Sequence, residues 1–290
     1  MNDRSYIVIS AVRNEGPYVE RTIASMRSQT QLPLKWMIVD DGSKDNTAAL
    51  TDAAAAEAPW IERVSRKDRG FRQPGVGVVE AFYAGFERVK DLPWSYVVKM
   101  DGDLLLPKEY FERLMTAFET EDRLGICSGD IFNETATGLA LDSPSDPAFH
   151  VRGAAKMYRR ACWDAIGGLQ RVTGFDSIDN VKARMTGWDT RRLHEVPVIH
   201  LRHTGQAGGT WRNGYKNGIG ANAIGYHPLF VVVKCLKRLV RGSPVDALGQ
   251  GCGFIAGYFV SIPRVQDQKL IRYLRQQQLN RLLGRASIWR

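Results

Sequence analysis

Two short apolar runs in this chain end in paired aspartates. Trp36-Met37-Ile38-Val39 runs into Asp40-Asp41-Gly42-Ser43, and Trp94-Ser95-Tyr96-Val97-Val98-Lys99-Met100 runs into Asp101-Gly102-Asp103. Residues i and i+2 of an extended chain project the same way, so Asp101 and Asp103 can face one ion. Hard cations such as Mg²⁺ and Mn²⁺ take oxygen ligands of this kind and usually bring substrate phosphates with them. Asp-Gly is also ordinary turn chemistry, and Asp45 or Asn46 can cap an Ala-rich helix over 47–57. Neither local role accounts for two adjacent aspartates after one strand and a second pair after another. In open α/β sheets, ligands bind at the carboxyl ends of the strands, so two acidic strand ends on one sheet imply one site.

The pattern around these runs is regular. It predicts strands near 6–12, 35–40, 60–65 and 95–100 and helices near 17–28, 46–57, 76–90 and 108–121. Such alternation implies a mainly parallel sheet covered on both faces. No Gly-x-Gly-x-x-Gly follows the first strand, which argues against a dinucleotide-binding fold. Residues 125–158 predict two more strands around an irregular excursion, Asn133 to Ala148. A short helix then ends near Gly167-Gly168, and another runs from Asp176 or Ser177 to Gly187.

In order and spacing, Tyr6 to Glu15, then Val39-Asp40-Asp41-Gly42-Ser43, then Met100-Asp101-Gly102-Asp103 resemble the family 2 glycosyltransferases. The resemblance covers roughly residues 5–205. It implies the GT-A fold for nucleotide-diphospho-sugars, a mainly parallel mixed sheet flanked by helices, here with a C-terminal helical appendage. It also implies nucleotide contacts from Ala11, Arg13 and Glu15 at the first strand end, and from Asp40 or Asp41. Arg69 and Gly70 of the basic loop 66–75 add to these, as do Asp101 and Gly102. Asp101 and Asp103 would bind Mn²⁺ or Mg²⁺, with Asp103 the direct ligand and His203, or less so His200, completing the shell.

Family members usually place Glu-Asp ahead of a helix that ends in Gly-aromatic. This chain has Phe175-Asp176, then Arg184 and Gly187-Trp188. The resemblance makes Asp176 the base that takes the proton from the acceptor hydroxyl, with Asp179 one turn later as the fallback. A helix N-cap is the competing role for Asp176. The Gly-rich stretch 205–225, with Trp211, Arg212 and Tyr215, suits a lid over the donor.

Charge is unevenly placed. Residues 229–290 hold eleven Lys or Arg against two Asp or Glu, a net of +9, which equals the net charge of the whole chain. From Leu229 to Arg241, Lys234, Lys237, Arg238 and Arg241 repeat at helical spacing, opposite a stripe of Leu229, Val232, Val233, Leu236 and Val240. Two placements follow: a helix docked on the protein with a solvated basic face, or a helix lying in a membrane interface. Gly251 to Pro263 is uncharged and aromatic-rich but too short to span a bilayer, which favours an anionic membrane surface. A nucleic-acid partner would leave the apolar stripe without a role. Four cysteines without CxxC spacing read as free thiols. With no signal-type apolar segment at the N-terminus, the expected location is cytoplasmic, peripheral on the inner face of the cell membrane.

The reading is therefore a catalytic domain over 1–228 and a basic tail over 229–290. By the resemblance, the domain would be an inverting, metal-dependent glycosyltransferase acting on a nucleotide-sugar (UDP favoured, dTDP or GDP as alternatives) and a glycan or lipid-linked acceptor in surface polysaccharide assembly. The rivals are a sugar-phosphate nucleotidyltransferase and a non-catalytic, membrane-docked subunit of the same fold.

Overall fold

The computed structural model describes residues 3–71, 75–135, 138–144, 146–202 and 209–289. The first half alternates β1 (Tyr6–Val12), α1 (Gly16–Arg27), β2 (Lys35–Asp40), α2 (Thr47–Glu57), β3 (Ile61–Ser65), α3 (Val76–Val89) and β4 (Tyr96–Asp101), within a residue or two of the expected bounds. Then come β5 (Leu104–Leu105), α4 (Tyr110–Thr120), β6 (Leu124–Thr135), β7 (Gly138–Leu141) and β8 (Ala155–Arg159). The chain continues through α5 (Arg160–Ile166), α6 (Phe175–Met185) and β9 (Asp189–His200) to four helices, α7 (Gly209–Ala223), α8 (Pro228–Val240), α9 (Pro244–Ala256) and α10 (Gln268–Leu282).

The strands form one sheet in the order β3-β2-β1-β4-β8-β6-β9-β5, with β7 hairpinned onto β6. β3, β2, β1 and β4 are parallel, and β8 runs antiparallel to β4. Period-2 alternation sends Tyr6 and Val8 of β1 into a core with α1, α2 and α4, and Ile7 and Ile9 into a core with α3, α5 and α6. Burial on both faces explains why these strands read as unbroken apolar runs. Each fully buried aliphatic or aromatic side chain contributes about 1.5–3 kcal/mol. The single polar residue in β1, Ser10, accepts the Trp36 indole N–H at 2.9 Å, so neither polar group is left orphaned.

The chain steps from β1 outward to β3, then crosses back through α3 to β4 on the other side of β1. That reversal opens a crevice at the carboxyl ends of β1 and β4, where Arg13 and Asp101 lie.

The glycines of the 205–225 stretch serve packing in the part that is described. Residues 209–223 form α7, which lies against α9. A Cβ on Gly214 would come within 2.5 Å of the Asp246 carbonyl oxygen, and one on Gly253 within 2.0 Å of the Tyr215 carbonyl oxygen. The two backbones touch, as in close helix pairs built on small residues at four-residue spacing. Trp211, Arg212 and Tyr215, expected in a lid, lie on α7, and residues 205–208 of the stretch fall outside the described residues. α10 returns to α6, burying Leu270 and Leu274 in the same cluster as Ile178.

Candidate active site

The crevice has three sides, which the family resemblance would assign to nucleotide base, metal and acceptor. On the first, Asp40 closes β2 and its carboxylate accepts the Ser43 N–H at 2.8 Å. Asp41 is buried and paired with Arg66 at 2.7 Å and with Arg69. Both arginines also reach Glu80 of α3, at 3.6 and 3.0 Å. Arg13 donates to the Asp41 carbonyl at 2.5 Å and to Asp68 at 2.7 Å. Asp68 also accepts the Gly70 N–H at 2.8 Å. That hydrogen bond and Arg13 lower its carboxyl to about 2. Gly42 sits at φ +80°, and a Cβ there would lie 2.6 Å from Asp68 Cα, so only glycine lets the two loops meet. Ala11 stands in register between Val39 and Asp101.

On the metal side, β4 delivers Asp101 and the short β5 follows Asp103. Leu104 of β5 pairs with His200 of β9, and the Leu201 N–H donates to the Asp103 carbonyl at 2.8 Å. The backbone thus sets His200 beside Asp103, with Nε2 3.1 Å from Oδ1. One ligand atom each from Asp101, Asp103 and His200 lie within 4.8 Å of one another. Thr22 of α1 clamps the turn: it donates to the Gly102 carbonyl and accepts the Leu104 N–H, both at 3.0 Å. A Cβ on Gly102 would fall 2.5 Å from Val12 Cγ1, so this turn too needs glycine. His203 lies outside the described residues. His200, the weaker expectation, is the histidine seen in the cluster.

Burial disfavours the charged forms of both His200 and Asp103. Their mutual hydrogen bond and charge attraction, with Asp101 adding for His200 and Arg202 and Lys99 for Asp103, together outweigh it, raising the imidazole above its ordinary value and lowering the carboxyl below its own. Two cations join them. Lys99, buried, bonds Asp101 and the Gly153 carbonyl, the latter at 2.6 Å. Arg202 pairs with Glu15, lies 3.5 Å from Asp103 and sits over the Tyr18 ring. The Glu15 carboxylate is therefore held by Arg202, and its N–H by Thr47 at 2.8 Å. Sequence reasoning missed both cations. Lys99 had a signal, since Lys99, Asp101 and Asp103 share one face of an extended chain.

Asp176 lies in the first turn of α6. Gly174 at φ +88° takes the N-cap position, which leaves the Asp176 side chain out of the capping role. It is half-buried and packs on Gly153, where a Cβ would come 2.9 Å from Asp176 Cβ and 3.3 Å from Oδ2. Gly153 is thus the shared wall between Asp176 and the Lys99–Asp101 pair. Asp179, the fallback, is sealed in the core: Lys156 holds it at 2.9 and 3.0 Å and the Tyr158 hydroxyl at 2.6 Å. A carboxylate enclosed in this way cannot meet an acceptor.

Around Asp176 is a polar network that the loop composition of 133–148 did not reveal. His150 Nδ1 lies 3.1 Å from Asp146 and its Nε2 3.1 Å from the Ser177 hydroxyl. Arg152 pairs with Asp142 and, at 3.5 Å, with Asp146. A groove of about 510 Å³ between α4 and β9, lined by Glu112, Arg113, Arg191 and Glu195 among others, contains none of these residues.

The sequence matches the model of Glycosyl transferase family 2 over residues 7–159, more than half of the chain. The chain belongs to that family. Two relatives are undecaprenyl-phosphate 4-deoxy-4-formamido-L-arabinose transferases. The one from Yersinia enterocolitica is 35% identical over 101 residues, 35% of this chain and 28% of the relative. The one from Pseudomonas fluorescens is 27% identical over 208 residues, 67% of this chain and 56% of the relative. The chain thus spans little more than half of these curated relatives at most. Among solved structures, a mannosyltransferase from Pyrobaculum calidifontis in complex with GDP-Man and Mn²⁺ superposes with TM-score 0.54 at 15% identity, covering 97% of this chain and 76% of that one. TarS 1–349 of S. aureus in complex with UDP-GlcNAc gives 0.54 at 14% identity, covering 97% and 86%. These likenesses show the fold, GT-A, and the family is one of glycosyltransferases.

Proposed function

We propose that this glycosyltransferase moves a sugar from a nucleoside-diphosphate donor to a hydroxyl of a glycan or glycolipid, by single displacement with inversion. The carrying observation is the convergence of Asp101, Asp103 and His200 beside Asp176 across Gly153. Two carboxylates and one imidazole, all within reach of one ion, fit Mn²⁺ well and Mg²⁺ less so, because imidazole suits transition metals. The bound ion would neutralise charge on the departing diphosphate.

The chain's own residues do the rest. Arg202 and Lys99 keep positive charge beside the diphosphate site, and the Asp40–Asp41 turn with Arg13, Arg69 and Gly70 receives the nucleoside. Asp176 takes the acceptor proton, a contribution of typically ~10²–10⁴-fold. Residues 1–228 form the catalytic unit, and the basic tail carries it to the inner face of a membrane, in keeping with relatives named for a lipid-phosphate substrate. Those names favour a second reading, an acceptor whose nucleophile is a phosphate oxygen. Such an oxygen is already ionised and would need no base. A nucleotidyltransferase would release pyrophosphate instead.

The test is nucleoside-diphosphate release from UDP-, GDP- and dTDP-sugars with Mn²⁺, Mg²⁺ or EDTA, using membrane lipid extract as acceptor source. Metal-dependent release from one donor, lost in Asp103→Ala, supports the reading. Activity unchanged by EDTA refutes it, and so does release of pyrophosphate when a nucleoside triphosphate and a sugar 1-phosphate are supplied instead.

A further inference from the structure

The sequence of α8 places an apolar stripe opposite a basic one, and a helix docked on a protein turns its apolar stripe inward. This helix does the reverse. Leu229, Val232, Leu236 and Val240 point outward, 51%, 53%, 54% and 90% exposed. The inward side holds Val231, packed with Phe254 of α9 and Ala221 of α7, and Arg238, paired with Asp246 at 2.5 Å. Lys234 is turned in as well. Burial and the nearby Arg238 disfavour its charge, with Asp146 and Asp246 close enough to offset part of this.

α9 repeats the arrangement. Val245, Leu248 and Ile255 recur on its outer side, 48%, 56% and 61% exposed, while Ala247 and Phe254 are buried. The turn that follows exposes Tyr258 and, at 84%, Phe259. Apolar side chains gathered on two adjacent helices and one turn mark an interaction surface rather than scattered surface residues. Lys237 of α8 and Arg241 just after it are exposed, and the tail as a whole carries +9. Apolar area with basic residues among it matches an anionic lipid interface better than a protein partner, whose surface would bury those charges. Each helix has 13 residues, about 20 Å long against a hydrocarbon core of about 30 Å. No helix among the described residues is long and apolar enough to cross a membrane.

We infer that the outward face of α8 and α9, with the Tyr258–Phe259 turn, lies in the interface of an anionic bilayer and forms the lipid-side wall of the acceptor site. This rests on the transferase reading for the acceptor and names the surface that meets the lipid. The link to the acceptor side runs through the start of α8. Tyr226 precedes it, packing edge-on to Phe230 and Trp289, and Trp289 stacks edge-on to Phe149, beside His150. His150 in turn lies 3.1 Å from Asp146 and 3.1 Å from Ser177, the neighbour of Asp176. One helix therefore has lipid on its outer side and the Asp146–Asp176 region at its inner side.

The experiment is flotation of the full chain with vesicles of phosphatidylcholine alone or with phosphatidylglycerol, beside light scattering of the free protein. The wild type floats with the anionic vesicles and is released by salt. Lys237→Glu with Arg241→Glu lowers partitioning by at least ~25-fold, from about fivefold per basic residue near an anionic surface. Leu236→Glu with Val240→Glu abolishes flotation while the melting temperature holds, because both positions are exposed. Equal binding to neutral vesicles, flotation untouched by either pair, or a dimer that Leu236→Glu with Val240→Glu dissolves would overturn the inference, the last by making a second copy the occupant. Flotation needs no donor, and nucleoside-diphosphate release scored separately fails or succeeds independently of it.

Discussion

His200 Nε2 lies 3.1 Å from Asp103 Oδ1, in a pocket where both residues are less than one tenth exposed. An imidazole and a carboxylate at this separation share a proton when no cation is bound, and under the proposed function both would become ligands when one is. The proton and the metal therefore compete for one place. His200→Ala lowers Mn²⁺ affinity by at least the ~10–100-fold that loss of an outer-shell partner costs a metal site, read by calorimetry. An unchanged affinity would remove His200 from the shell.

The same pair sets a pH window. The raised His200 gives stability that is complete below its ordinary 6.5 and disappears as pH rises through its folded value. The lowered Asp103 gives stability that is present above 3.8 and disappears as pH falls through its folded value. Metal-free protein is thus expected to gain most from this pair between pH 3.8 and 6.5. The extra stability from Mn²⁺ grows above that window. Melting curves from pH 5 to 8, with and without Mn²⁺, check it, and His200→Gln should flatten the difference.

Asp179 and Asp176 separate by stability against turnover. Asp179→Ala strands the buried Lys156 ammonium and destabilises by ~3–5 kcal/mol in chemical denaturation. A variant that stays equally stable but loses turnover would move the base to Asp179.

Gly102→Ala tests the turn that carries the proposed metal ligands. The new methyl meets Val12 Cγ1 at 2.5 Å, and overpacking of this kind costs ~1–3 kcal/mol. The melting temperature falls and Mn²⁺ binding weakens with it. Normal binding would show that the turn can shift without moving Asp101 and Asp103.

The sheet was readable because β1, β2 and β4 are buried on both faces and so appear as apolar runs, each ending at a charged residue in the crevice. The candidate metal cluster was half readable. Asp101 and Asp103 are two apart in sequence, whereas His200 reaches them only through the β5–β9 pairing, a contact that crosses almost a hundred residues. Local pattern cannot rank His200 over a neighbour three residues on. Asp176 and Asp179 look alike as letters on one helix, yet one packs on Gly153 and the other is enclosed by Lys156 and Tyr158. The tail shows the same limit. Periodicity found both stripes of α8, but which one faces the protein depends on Val231 meeting Phe254 and on Arg238 meeting Asp246 across the α8–α9 turn.

The most direct measurement is Asp176→Asn, with donor affinity by calorimetry and nucleoside-diphosphate release at saturating donor and Mn²⁺. The account predicts donor affinity within a factor of about two of wild type and release slowed by ~10²–10⁴-fold. Release at the wild-type rate would contradict it, leaving Asp176 without a proton to take and pointing to an acceptor that is already ionised.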